Sequence, residues 1–184
     1  TGPKYKCLQR GNFELQMALV PEPTMRKTVE EGVKALQTAI DTFKPNVIIA
    51  SSRGGRYAAE LVERNIWSGC ILCISALATS RLIKKGIPIV VCHGVRDTTN
   101  IIERVRLDVE LGTTGLVHLE ELDDDHHLSK IVENDMLNAM VLKVMSLERE
   151  NKEGNVVTSK KESKPPIAAQ RRDLFAQLRS KDAV

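Results

Sequence analysis

The sequence predicts an α/β fold, three layers deep, with a mostly parallel sheet held between two layers of helices. Three observations carry that expectation. The apolar runs "NVIIAS" (46–51), "CILCIS" (70–75) and "PIVVCHG" (88–94) are too short for helices and do not alternate with polar residues, which is the pattern of strands buried on both faces. Segments with helical spacing of apolar residues lie between them. Proline and glycine stand at the joints, as at Pro45, Gly86 and Pro88. Strand and helix alternating in this way place crossover helices on both faces of a parallel sheet.

In chain order, "FELQMALV" (13–20) reads as a strand ending at Pro21 and Pro23. Between Thr28 and Phe43, the residues Val29, Val33, Leu36, Ile40 and Phe43 recur at helical spacing, and Thr28 with Glu31 fits a capping box. The strand "NVIIAS" follows, then a helix from about Gly54 to Asn65 with Tyr57, Ala58, Leu61 and Val62 on one side. "CILCIS" is the next strand, a short helix covers 77–85, and "PIVVCHG" is another strand. A helix over 99–111 buries Ile101, Ile102, Val105 and Val109, "GLVHLEEL" (115–122) is the last strand, and a helix from about Ser129 to Leu147 closes the domain.

The chain has 184 residues, 42% hydrophobic and 28% charged, enough for one domain (1–149) with a sizeable core. Of the 27 Lys+Arg and 24 Asp+Glu, 8 and 5 fall in residues 150–184, so the net charge of +3 arises in that segment. The globular part is electrically balanced and offers no basic surface for nucleic acid. The apolar runs are too short to span a bilayer, which takes about 20 residues. The N-terminus does not resemble a cleavable signal, and a start at Thr1 points to a lost upstream segment. An intracellular location is expected, in the cytoplasm or an organelle matrix.

Beyond Arg149 the chain turns polar and charged and ends a stretch in Pro165 and Pro166, as a linker does. "AAQRRDLFAQLRS" (168–180) has the spacing of a short basic helix, either docked on its own domain or serving as a contact for a protein partner. Cys70 and Cys73 have CxxC spacing, but on a strand they point to opposite faces, so buried reduced thiols are expected and neither a metal nor a cofactor.

The chemistry concentrates where "NVIIAS" gives way to a helix. "ASSRG" (50–54) fits the GxSxG nucleophile elbow with alanine in the first glycine position, which makes Ser52 the exposed serine of a strained strand-to-helix turn. Gly54, with Gly55 behind it, accounts for the crowding of that turn. A serine hydroxyl becomes a nucleophile only when a base takes its proton, so an imidazole and an acid are required. Asp97 follows the strand "PIVVCHG" and His126 follows the last strand, in "LDDDHHLS". His93 and His118 lie inside strands and read as packed or surface side chains. Asp123 and Asp124 read as a solvated loop, either being an alternative acid.

These pieces resemble the α/β-hydrolases, and among them the small single-domain serine esterases without a large lid. The similarity rests on "VIIASSRGGRYAAELV", "IPIVVCHGVRDTTNI" and "LEELDDDHHLS", and extends to "GPKYKCLQ", which looks like the helix after the family's oxyanion loop. The resemblance implies Ser52 as nucleophile, His126 as general base and then acid, and Asp97 as the group orienting the imidazole. The family's "DHxL" ending favours His126 over its neighbour His127. The resemblance also implies an oxyanion hole made by the N–H of Arg53 and an N–H from an earlier loop, for which Gly2 is the candidate here. The strand that normally carries that loop, between "FELQMALV" and "NVIIAS", is not in the chain, so a gap or a new pairing is expected. A hydrolase acting on a small-molecule acyl substrate is the main expectation. A catalytically inactive hydrolase-like scaffold is the alternative. Arg53 and Arg56 either favour an acidic substrate group or are solvated.

Overall fold

The apolar runs become neighbouring strands. In a computed structural model of the chain, described over residues 2–22, 25–112 and 116–154, they are β1 (Val47–Ser51), β2 (Cys70–Ile74) and β3 (Ile89–Gly94), joined by β4 (Val117–Leu122). All pairs are parallel, in the order β1-β2-β3-β4. β2 and β3 are buried along their whole lengths, which is why their sequences do not alternate.

Helices cover both faces. α1 (Pro3–Arg10), α6 (Lys130–Glu133) and α7 (Met136–Gly154) pack Cys7, Leu8, Ile131, Leu137, Val141 and Val144 against Leu72, Ile74 and Val90. On the opposite face, α3 (Gly54–Glu63), α4 (Thr79–Ile83) and α5 (Ile102–Glu110) bring Ala58, Val62, Leu82, Ile83, Ile102 and Val105 onto Ile71, Cys73 and Val91. α2 (Arg26–Phe43) lies against α3, where Val33 meets Tyr57 and Leu61. Each large apolar side chain fully buried in this way contributes about 1.5–3 kcal/mol. All four cysteines are buried as free thiols. Burial pushes the thiols of Cys73 and Cys92 up to about 12.

The sequence reading departs from the structure at several places, among them Ile101, read as buried in a helix but 60% exposed at the N-cap of α5. "FELQMALV" forms no strand and pairs with none. Its Phe13 and Leu15 pack on the core, while a cavity of about 490 Å³ separates it from β1, lined by Phe13, Leu15, Ile40, Ile49, Tyr57 and Met145 among others. A strand needs a neighbour within about 4.8 Å to hydrogen-bond, and the space where that neighbour would lie is open. Helix α2 starts two residues early, at Arg26, so Thr28 occupies its first turn and bonds back to Met25: Met25 N donates to Thr28 Oγ1 at 3.2 Å, and that hydroxyl donates to Met25 O at 2.8 Å. The last helix is broken into α6 and α7 at Asn134 and Asp135, where Asp135 takes φ 52° and receives a contact from Cys7 Sγ at 3.5 Å. Finally, α7 continues past Arg149 to Gly154, so the boundary read at 149 falls inside a helix. The tail segment 168–180 lies outside the described residues.

Candidate active site

Three loops leave the carboxyl ends of β1, β3 and β4, the edge of an open parallel sheet where polar groups can gather without breaking strand pairing. Ser52 sits directly after β1 with φ 48°, a left-handed conformation that a non-glycine residue adopts only when its surroundings impose it. They do so through three backbone bonds. Ser52 N donates to Ile74 O at 3.0 Å, and Ser52 O accepts from Gly55 N at 3.1 Å and Leu77 N at 2.9 Å. A Cβ at Gly55 would collide with the Leu77 carbonyl, whereas one at Gly54 would meet open space. The crowding expected at Gly54 therefore falls on Gly55, because it is the second glycine that faces the loop after β2.

Asp97 lies in the turn after β3 with its side chain fully buried. Its Oδ1 accepts the backbone N–H of Thr99 at 2.8 Å and of Asn100 at 3.0 Å. Burial pushes the Asp97 carboxyl up, and the hydrogen bonds from His126, Asn100 and Thr99 together outweigh it, leaving the group below its ordinary value. Its second oxygen, Oδ2, lies 2.7 Å from His126 Nδ1.

His126 belongs to the loop after β4. Arg96 N donates to Asp124 O at 2.9 Å, tying that loop to the acid-bearing turn. Gly94 makes the approach possible, since a Cβ there would strike the carbonyls of Asp124 and Asp125. Asp124 accepts the N–H of Asp125 at 2.8 Å and of Lys130 at 2.7 Å, and Lys4 Nζ donates to His127 O at 2.6 Å. Burial pulls the Lys4 amine below its ordinary value, partly offset by Asp124. The imidazole of His126 thus arrives with Nε2 2.8 Å from Ser52 Oγ.

Ser52, His126 and Asp97, far apart in sequence, form one hydrogen-bonded line. His127 is exposed, its ring centroid 6.4 Å from that of His126, and it touches neither Ser52 nor Asp97. Asp123 is exposed and pairs with Arg96 and Lys130. Neither it nor Asp124 faces the imidazole in place of Asp97. The N–H of Arg53 takes no hydrogen-bond partner among the described residues, and its guanidinium pairs with Glu22. Gly2 is exposed at the N-cap of α1, its carbonyl accepting from Lys6 N at 3.2 Å, and it bonds to neither Ser52 nor Arg53. Sequence reasoning passed over Gly94, Lys4 and the part taken by His93, which is fully buried beside this turn. One signal was present: a histidine inside the apolar run "PIVVCHG" needs a buried polar partner. Among the described residues, no group of three His, Cys, Asp or Glu side chains is placed to hold a metal ion, and no helix is long and apolar enough to cross a membrane.

Comparison with solved structures bears on the architecture. A serine hydrolase homologue from Coxiella burnetii superposes with a TM-score of 0.57 at 11% identity, covering 77% of this chain and 76% of that one. A protein from Xanthomonas campestris pv. campestris described as a hydrolase of the alpha/beta superfamily gives 0.55 at 16% identity, covering 77% and 87%. The chain has the α/β-hydrolase fold. A serine hydrolase involved in carbazole degradation has the same α/β-hydrolase core, with a TM-score of 0.51 at 12% identity over 69% of this chain and 74% of that one. No family model and no curated protein matches the sequence. Within the α/β-hydrolase fold the loops after β1, β3 and β4 hold Ser52, Asp97 and His126 respectively.

Proposed function

We propose that the chain is a serine hydrolase that cleaves an ester or related acyl bond through an acyl-enzyme on Ser52. The observation that supports it most is the line Ser52 Oγ to His126 Nε2 at 2.8 Å and His126 Nδ1 to Asp97 Oδ2 at 2.7 Å. An ionised Asp97 accepts only, so Nδ1 carries the ring proton and Nε2 is left with the lone pair that takes the serine proton. As Ser52 Oγ attacks the acyl carbon, its proton passes to Nε2. The imidazolium, stabilised by Asp97, then returns that proton to the departing alkoxide or amine. Water repeats the sequence to release the acid. Base catalysis of this kind contributes about 10² to 10⁴ in rate. The unengaged N–H of Arg53 would meet the oxyanion of the tetrahedral intermediate, in keeping with the residue after the nucleophile.

Fluorophosphonate labelling tests the reading. Covalent modification of the full chain at Ser52, absent in Ser52→Ala, is the expected result; a chain that resists the probe while folded is not this enzyme. A second reading, an inactive hydrolase-like scaffold held in a complex by a protein partner, is favoured by one observation. Gly2, read as the second oxyanion donor, is exposed at the N-cap of α1, where water competes for its N–H. A missing donor costs about 10² to 10³ in turnover. Labelling at a slow rate fits the enzyme with one donor, whereas none at all fits the scaffold.

A further inference from the structure

His93 is fully buried near the end of β3, and its Nδ1 has no hydrogen-bond partner. An imidazole in that place is unfavourable for packing alone, since an apolar residue of similar size would leave no polar atom unpaired. The other ring nitrogen accounts for it. His93 Nε2 lies 2.6 Å from Asn100 O, an acceptor only, so Nε2 carries a proton and donates it to that carbonyl. The same nitrogen stands 3.5 Å from Asp97 Oδ2, the oxygen that faces His126. Asn100 is meanwhile joined to Asp97 by its own N–H at 3.0 Å and to Ala76 O by its side-chain amide at 3.3 Å. The turn from Asp97 to Asn100 is therefore closed from within by the carboxylate and fastened from outside by His93 and Ala76.

We propose that His93 is a positioning residue: its Nε2–H anchors the Asp97–Asn100 turn and so holds the Asp97 carboxylate in line with His126. The inference rests on the serine-hydrolase reading. His93 touches no reacting atom, and acts only through Asp97. Its importance follows from the tolerance of such a line, in which a misplacement of about 1 Å costs about 10²-fold in rate.

The test uses the full chain, with p-nitrophenyl acetate as substrate and proton NMR of the low-field resonance of the proton shared by Asp97 and His126. His93→Met, which fills the space without a donor, is expected to lower kcat about 10- to 100-fold with KM changed by less than about two-fold, and to move or abolish that resonance. His93→Gln, whose amide can still donate to Asn100 O, is expected to recover at least about a third of the kcat of the unmodified chain. A methionine variant that keeps both kcat and the resonance overturns the proposal. If that variant does not fold, His93→Asn, which is polar but too short to reach, carries the same expectation. If the unmodified chain neither hydrolyses the ester nor takes the fluorophosphonate, the hydrolase reading alone falls. The resonance then decides for His93: its survival in the methionine variant overturns the inference and its loss supports it.

Discussion

Asp97 has both carboxylate oxygens engaged, Oδ1 by the N–H groups of its own turn and Oδ2 by His126. An amide at this position would keep the shape but present an N–H to an imidazole that must itself donate there, forcing the wrong tautomer. Asp97→Asn is therefore expected to lower kcat by about 10³ to 10⁴ with little change in KM, measured on p-nitrophenyl acetate. His127 gives the counter-case. Its hydrogen bonds are made by the backbone, the N–H to Asp125 and the carbonyl from Lys4, and its ring meets only the edge of His126, so His127→Ala should keep kcat within about three-fold. A large loss at His127 together with none at His126→Ala would reverse the assignment. The family's "DHxL" ending favoured His126 over His127; in the structure His126 lies against Ser52 in a loop that Leu128, with φ 49° and no exposure, turns back into the core.

At the scale of elements, the elbow and the sheet edge each set a measurable condition. Gly55 faces the Leu77 carbonyl and Gly54 faces open space, although the two are adjacent at the start of α3. Gly55→Ala should destabilise the fold by about 1–3 kcal/mol, because backbone must move to admit a methyl group. Gly54→Ala should range from neutral to about 1 kcal/mol stabilising, since alanine loses less entropy in the helix. Thermal unfolding of the two variants separates them. On β1, Ser52 N bonds to β2, so by the alternation of a parallel strand Ile48 and Ala50 also face β2 while Val47, Ile49 and Ser51 face outward. The amides of Ile49 and Ser51 should then exchange on the order of ten-fold or more faster than those of Ile48 and Ala50. Equal protection across β1 would mean that the outer edge is paired. The segment "FELQMALV" shows what local composition leaves open at this scale. Its composition suits a strand, but strand pairing is a property of two segments, and the neighbour it would need is not beside it.

For the whole molecule, acid is the revealing perturbation. Asp97 and Asp124 are both buried, and both are held below their ordinary value because hydrogen bonds outweigh the burial that raises them. A carboxyl with a lower pKa folded than unfolded adds stability that is complete above the unfolded value of about 3.9, and that stability disappears as the pH falls through the folded value. The melting temperature should stay level from neutral pH to about 5 and drop below about 4, with a shallower drop in Asp97→Asn, which has one fewer group to protonate. Identical acid profiles for the two proteins would remove Asp97 from the account. Taken by itself, the sequence determined the class of fold, the order of β1 to β4 with the helices between them, and the positions of Ser52, Asp97 and His126 in the loops after strands, since apolar period and chain punctuation are local properties. Only the tertiary structure decided that these three side chains meet, that "FELQMALV" stays unpaired, that Gly55 and Gly94 are the crowded glycines, and that His93 reaches Asn100. Apart from His93 and Asn100, which meet across a single turn, these depend on contacts made or missing between segments remote in sequence, and such contacts follow from how the layers pack and not from the residues on either side.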